Sequence, residues 1–127
     1  MNGEVNALNW FEIPASNLAR AKKFYETIFE IEMGEMEIMG TKMAFFPSEA
    51  KSGKVSGAVV QGEMYQPSQE GAKIYLNGNP DLNNVLSKIV AAGGSIQMPK
   101  THISPEIGHM AFFTDSEGNG VALHSNK

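Results

Sequence analysis

The sequence predicts an α+β fold made of two βαβββ modules, and three observations support this prediction. The segment Met43-Ala44-Phe45-Phe46 recurs 67 positions later as Met110-Ala111-Phe112-Phe113. Each copy follows an alternating apolar segment and a helical pattern. Each copy also precedes a short apolar run that opens with glycine, at Gly57 and at Gly120. Four similar elements in one order indicate an internal repeat, and two related halves imply a pocket where they meet.

Length and composition favour a single domain over residues 1–127, with a first module at 5–66 and a second at 72–125. A net charge of −4 with only ten scattered Lys and Arg residues argues against a nucleic-acid partner. The chain has no cysteine, which excludes disulfides and thiolate metal sites. No apolar run approaches the roughly 18 residues of a membrane span. We therefore expect a cytoplasmic protein with no membrane partner.

The first module opens with an alternating segment at residues 8–13 and continues into a helix from about Asn17 to Glu30. Asn17 or Ser16 is available to cap the free N–H groups of its first turn. Apolar residues at three- and four-residue spacing predict the buried face of this helix. They are Leu18, Ala21, Phe24, Tyr25, Ile28 and Phe29.

The second module opens at residues 73–77 and continues into a second helix. We expect Asn79 to cap this helix, Pro80 to occupy its first turn and Gly93 to end it. Its predicted buried face consists of Leu82, Val85, Leu86, Ile89 and Val90.

Short apolar segments separated by glycine, proline and polar turns predict the remaining strands. They lie near residues 31–38, 42–47, 55–62, 95–98, 109–114 and 120–125. The composition of residues 115–120 predicts a hairpin turn between the last two strands. His102 falls in a polar segment, 100–105, that we interpret as a loop near the mouth of a pocket.

The chain resembles the vicinal oxygen chelate superfamily, which includes glyoxalase I, bleomycin-resistance proteins and extradiol dioxygenases. The resemblance spans nearly the whole chain and is carried by residues 10–14, running into 17–25, and by residues 112–119. It implies that the two βαβββ modules form an incompletely closed eight-stranded barrel whose cupped sheet faces enclose a small-molecule pocket. It also implies a homodimer.

Alternation along the strands predicts which side chains face that pocket. Phe11 and Ile13 should pack under the first helix, and Ile74 and Leu76 under the second. The inward set is then Leu8, Trp10, Glu12, Gly57, Val59, Gln61, Lys73, Tyr75, Asn77, Gly120, Ala122 and His124.

Metal-dependent members of the family carry His, Gln or Glu at four inward positions, which align here with Trp10, Val59, Lys73 and Ala122. Tryptophan and aliphatic side chains offer no lone pair, and a protonated lysine repels a cation. We therefore expect no metal and no other cofactor at the usual site.

A second inward layer is polar and consists of Glu12, Gln61, Tyr75 and His124. Two interpretations remain open for this layer. It is either a hydrogen-bonded polar floor, with Glu12 paired to Lys73 or His124, or a displaced site for a divalent metal.

Two function hypotheses follow from these residues. The first is a small-molecule-binding protein without the usual glyoxalase metal site. Its ligand-binding residues would be Trp10, Glu12, Gln61, Lys73, Tyr75 and His124. The second is a glyoxalase-related isomerase, lyase or dioxygenase acting on a small oxygenated substrate. That enzyme would use a displaced metal, or Glu12 and His124 as catalytic acid and base.

Overall fold

A computed structural model describes all 127 residues, which form two helices and eight strands. The first half contains β1 (Trp10–Pro14), α1 (Leu18–Phe29), β2 (Gly34–Ile38), β3 (Thr41–Phe45) and β4 (Ser56–Gln61). The second half contains β5 (Tyr75–Asn77), α2 (Asn83–Ala92), β6 (Ser95–Ser104), β7 (Gly108–Thr114) and β8 (Gly120–Ser125). Neither helix is long and apolar enough to cross a lipid bilayer.

The strands form two four-stranded sheets with the same topology. The strand order is β1-β4-β3-β2 in the first sheet and β5-β8-β7-β6 in the second. The pairs β1–β4 and β5–β8 are parallel, and the other pairs are antiparallel. No strand pairing joins the two sheets, so β1 and β5 each keep one free edge. The predicted α+β class and its incompletely closed arrangement are confirmed.

Helix α1 forms where the apolar spacing predicts it. The side-chain oxygen of Asn17 accepts a hydrogen bond from the backbone N–H of Arg20 at 3.1 Å, which caps the first turn. Glu30 ends the helix in the left-handed conformation, with φ of 54°. Five of the six predicted apolar residues are buried, and Phe29 packs at the margin of the core.

Helix α2 begins later than the sequence pattern predicts, and Asn79 is not its cap. The Asn79 side chain accepts a hydrogen bond from the backbone N–H of Asn126 at 2.7 Å. Asp81 instead accepts a bond from the N–H of Asn83 at 2.9 Å, in the first turn. Val90, expected on the buried face, is 66% exposed. The predicted end at Gly93 is confirmed, with φ of 111°.

One hydrophobic core lies between the helices and the sheet faces they cover. It contains 19 buried residues drawn from both halves of the chain. The repeated tetrapeptides lie in β3 and β7, except that Phe46 follows the end of β3, and Ala44 and Ala111 are both fully buried in this core. Phe45 and Phe112 alternate to the opposite faces of their sheets, away from the helices. The repeat therefore supplies a core alanine and an open-face aromatic ring to each half, and its last phenylalanine lies in the core as Phe113 and packs against it as Phe46.

Strand β6 is longer than the sequence pattern predicts. It continues through Pro99 and includes His102, so the segment interpreted as a loop is part of a strand. Register shifts interrupt its pairing with β7 at three places. β6 is the edge strand of its sheet, where a proline is tolerated because one side of the strand needs no hydrogen-bond partner.

Candidate functional site

An open groove lies between the free edges of β1 and β5. Its volume is about 930 Å³, and 11 of its 17 lining residues are hydrophobic. The groove exists because each edge strand pairs on one side only. A concave, mostly apolar site with a few polar groups is the usual form of a small-molecule site.

Four of the six predicted ligand-binding residues line this groove: Trp10, Glu12, Lys73 and Tyr75. The inward-facing residues Leu8 and Asn77 line it as well. Trp10 and Tyr75 remain 41% and 49% exposed, so both residues keep free surface for contact with another molecule. Phe112, on β7 and separated from β5 by β8, packs edge-on against Tyr75 with ring centroids 6.1 Å apart.

The carboxylate of Glu12 is held by two side chains at the groove. Its Oε1 accepts a hydrogen bond from the hydroxyl of Tyr65 at 2.7 Å, and its Oε2 accepts one from the indole Nε1 of Trp10 at 3.3 Å. The hydrogen bond to Glu12 raises the pKa of Tyr65, and desolvation adds to this effect. Glu12 forms no ion pair with Lys73 and no hydrogen bond with His124, so those two predicted partners are wrong.

Tyr65 is a site residue that the sequence analysis did not identify as a partner of Glu12. It lies in the segment between β4 and β5, which contains no helix or strand. Periodicity gives no indication there of where a side chain points.

The ammonium group of Lys73 has no carboxylate partner. The three ion pairs of the protein are Arg20–Glu117, Lys22–Glu35 and Lys100–Asp81. The Nζ atom of Lys73 lies 5.2 Å from the centroid of the Phe112 ring, close enough for a cation–π interaction. The groove therefore contains one positive charge that no side-chain anion neutralises.

Gln61 faces away from the groove, against the prediction. The pairing of β1 with β4 aligns Glu12 with Ala58 and Ile13 with Val59, so Val59 and Gln61 share the helix-covered face. The side-chain oxygen of Gln61 accepts a hydrogen bond from the backbone N–H of Leu18 at 2.7 Å, at the start of α1. The predicted orientation of β4 was wrong because both of its faces are apolar.

His124 is on the predicted face of β8 but does not line the groove. Its Nε2 lies 2.6 Å from the carbonyl oxygen of Ile107. Because a carbonyl can only accept, Nε2 carries the hydrogen in this bond. The predicted pair of Glu12 and His124 is therefore not brought together.

The residues present do not fit a divalent metal at the positions that the family resemblance implies. Trp10, Lys73 and Ala122 have no suitable donor, and Val59 is buried in the core. The displaced layer does not assemble either, because Gln61 lies on the other face of its sheet. No three His, Asp or Glu side chains come close enough together to hold a metal ion.

Comparison with known proteins identifies similar sequences over most of the chain. Residues 7–123 match the model of the Glyoxalase/Bleomycin resistance protein/Dioxygenase superfamily. A glyoxylase-like domain-containing protein of Didymella fabae is 26% identical, with 97% of this chain and 94% of that protein covered. The protein CFP32 of Mycobacterium bovis is 27% identical over 118 residues, and the chain spans 44% of its length.

Solved structures show the same fold at lower identity. A glyoxalase/bleomycin resistance protein from Albidiferax ferrireducens has a TM-score of 0.72 and 15% identity, with 96% of this chain and all of that chain covered. The fosfomycin resistance protein FosX from Listeria monocytogenes has a TM-score of 0.64 and 18% identity, with coverage of 97% and 93%.

Proposed function

We propose a binding function for this chain, which belongs to the glyoxalase/bleomycin resistance protein/dioxygenase superfamily. In this proposal the chain binds a small molecule with an apolar body and one anionic group. The ligand occupies the groove between β1 and β5. The observation that carries the proposal is the unpaired Lys73 beside an otherwise largely apolar groove.

The apolar body of the ligand would contact the aromatic side chains that border the groove. Trp10 and Tyr75 each leave nearly half of their surface exposed there. Burying an aromatic side chain against a ring or an aliphatic group removes a large apolar area from water. Planar aromatic ligands gain the most binding free energy from such surfaces, because ring stacking adds to the contribution of the buried apolar area.

Two polar side chains would orient the ligand. Lys73 supplies a positive charge for a carboxylate, sulfonate or phosphonate group. Glu12 is already bound by Tyr65 and Trp10, but a carboxylate offers about four acceptor positions, so it can accept a further N–H or O–H from the ligand. The anionic group of the ligand therefore lies near Lys73. A ligand that also has a hydrogen-bond donor directs that donor to Glu12.

The only tryptophan of the chain is Trp10, so its fluorescence reports occupancy of the groove directly. We expect 1-naphthoate to bind more tightly than the neutral 1-naphthalenemethanol. Lys73→Met should weaken naphthoate binding by about tenfold or more, since a hydrogen bond to a charged group contributes roughly 1.5–3 kcal/mol. The same change should leave the affinity for the alcohol unchanged.

The matched control is Lys23→Met, which removes an exposed lysine of α1 that forms no ion pair. An equal loss of naphthoate binding in both variants would show a general charge effect and contradict a role for Lys73. Equal affinities of the wild-type protein for the acid and the alcohol would contradict an anionic ligand class.

A second candidate function is an enzyme acting on a small oxygenated substrate. The contact that favours it is the Tyr65–Glu12 hydrogen bond at 2.7 Å, because a paired phenol and carboxylate can move a proton at a bound substrate. Loss of turnover in Glu12→Gln would support the enzyme, provided that circular dichroism shows an intact fold. Stoichiometric binding without product would support the binding protein.

The proposal includes a homodimer in the cytoplasm, as the family resemblance and the sequence predict. Met36 and Ile38 are half-exposed on the sheet face opposite α1, the face that also carries Trp10. An exposed apolar patch of this kind favours association. A single-chain mass by sedimentation equilibrium would contradict the dimer.

A further inference from the structure

Two histidines that the groove does not use face each other across β6 and β7. His102 and His109 are paired directly in the antiparallel ladder. Their ring centroids are 5.2 Å apart, and the ring planes are inclined at 64°. His102 is exposed and His109 is partly buried, so a solvated ion can approach the pair from the side of His102.

The separation of the rings fits two ligands of one metal ion. A first-row metal lies about 2.0–2.1 Å from an imidazole nitrogen, and hence roughly 3.2 Å from the ring centroid. Two rings bound to one ion at a tetrahedral angle then have centroids about 5.2 Å apart. At a right angle, as in tetragonal Cu(II) sites, the separation is about 4.5 Å, which small side-chain rotations can reach.

The two rings are also chemically available. The Nδ1 atom of His109 is buried and has no hydrogen-bond partner, so no protein group has to be displaced from it. His124 differs, since its Nε2 is engaged by the carbonyl oxygen of Ile107.

We propose that His102 and His109 form a two-histidine site for a borderline transition-metal ion such as Cu(II), Ni(II) or Zn(II). Imidazole ligands suit these metals, and Cu(II) binds most tightly in the Irving–Williams order. Water completes the coordination, because no third His, Asp or Glu joins the pair. The neighbouring Asp81 is held by Lys100 at 2.9 Å and by the N–H of Asn83 at 2.9 Å. The site lies on different strands from those that border the groove, so it does not depend on the proposed function.

The test is titration of untagged, EDTA-treated protein with Cu(II), Ni(II) and Zn(II) in separate experiments by calorimetry. We expect one ion per chain, with Cu(II) bound most tightly. His102→Gln and His109→Gln should each weaken binding at least about tenfold, since each removes one of two ligands. The Cu(II) electron paramagnetic resonance spectrum should show coupling to two nitrogens, and to only one in either variant.

His124→Gln is the matched control, because it removes the third histidine and leaves the pair intact. Unchanged Cu(II) affinity in this variant supports the paired site. Binding that is lost in His124→Gln would instead locate the ion at His124, on the other face of the sheet, and overturn the proposal. Binding that is unaffected by His102→Gln, an exposed substitution that should not disturb folding, would also overturn it.

Discussion

At the scale of single residues, Asp115 is a buried carboxylate whose two oxygens accept four hydrogen bonds. Its Oδ1 accepts bonds from the backbone N–H groups of Glu117 and Asn119, both at 2.9 Å. Its Oδ2 accepts bonds from the Asn119 amide at 2.9 Å and from the Tyr25 hydroxyl at 2.7 Å. Asp115 is only 3% exposed, so these four donors replace the water that its charge would otherwise require.

Tyr25→Phe tests this arrangement. Desolvation raises the pKa of Tyr25 well above its usual range, and the charge of Asp115 adds to this effect, so the phenol is a donor at all ordinary pH values. Removing its hydroxyl leaves the buried carboxylate one donor short. We expect a loss of about 1–3 kcal/mol in the free energy of unfolding, measured by urea denaturation.

Tyr75→Phe provides the control for that measurement. The Tyr75 ring is 49% exposed, so its hydroxyl is solvated in the folded and unfolded states alike. We expect a change within about 0.5 kcal/mol. If Tyr25→Phe is as stable as Tyr75→Phe, the hydrogen bond to Asp115 makes no net contribution to the free energy of unfolding.

The site residues differ in how far the sequence could predict them. Trp10, Glu12, Lys73 and Tyr75 line the groove as predicted, because the alternation of β1 and of the segment entering β5 is clear. The partner of Glu12 could not be predicted, since Tyr65 lies in an irregular segment whose path depends on tertiary packing.

At the scale of elements, β4 shows where alternation fails as a guide. Ala58, Val59 and Val60 are all fully buried, although they point alternately to opposite faces of the sheet. A strand that is apolar on both faces carries no period-two signal. The pairing with β1 decides which side chains of β4 face the helix. A prediction that is wrong by one residue along β4 therefore puts Gln61 on the wrong face.

Gly57 fixes how closely β4 can approach β1, and it yields an element-scale prediction. A Cβ atom at this position would meet the carbonyl oxygen of Phe11 and lie 2.6 Å from two of its ring carbons. Gly57→Ala must therefore shift a partly buried ring or the strand itself. We expect a loss of about 1–3 kcal/mol in stability, measured by thermal and urea unfolding.

Gly34→Ala is the matched control on β2, where an added Cβ would have nothing within 4 Å. There we expect a change near zero, or a gain of about 0.4–1 kcal/mol from the reduced freedom of the unfolded chain. Equal effects of the two substitutions would show that the close approach of Gly57 to Phe11 imposes no cost.

The end of β6 and the start of α2 were mispredicted for a shared physical reason. Pro99 suggests the end of a strand, but an edge strand tolerates proline where no ladder bond is needed. Asn79 suggests a helix cap, but its side chain binds the chain terminus through Asn126. In both cases long-range contacts override a local preference that is real but weak.

At the scale of the whole molecule, the two halves are tied together by the hairpin turn at residues 115–119. The carboxylate of Glu117 accepts bonds from the N–H groups of Ser16 and Asn17 at 2.9 and 2.8 Å. It also pairs with Arg20 at 2.6 Å. Asn119 donates to the carbonyl oxygen of Pro14 at 2.7 Å. The second half thus holds the end of β1 and the start of α1, while the groove between β1 and β5 stays open.

This connection predicts how stability depends on pH. Burial alone would raise the pKa of Glu117, but bonds from Arg20, Asn17 and Ser116 outweigh it and lower the pKa below its ordinary value of 4.5. The stability that Glu117 contributes is therefore fully present above pH 4.5. It is lost as the pH falls through the lowered folded-state value, because the unfolded chain takes up the proton first.

Glu117→Gln removes the charge but keeps most of the side-chain shape. We expect the variant to be less stable than the wild type at pH 7 and the two stabilities to converge below pH 4.5, when both are measured by urea denaturation. A residual pH dependence should remain from Asp81, whose pKa is lowered first by the Asn83 N–H and then by Lys100.

Glu63→Gln is the control, because it changes an exposed carboxylate that does not lie between the two halves. Its unfolding free energy should depend on pH as that of the wild type does. If Glu117→Gln shows the same change of unfolding free energy with pH as the wild type, the ion pair with Arg20 does not couple the two halves. The shared hydrophobic core would then couple them alone.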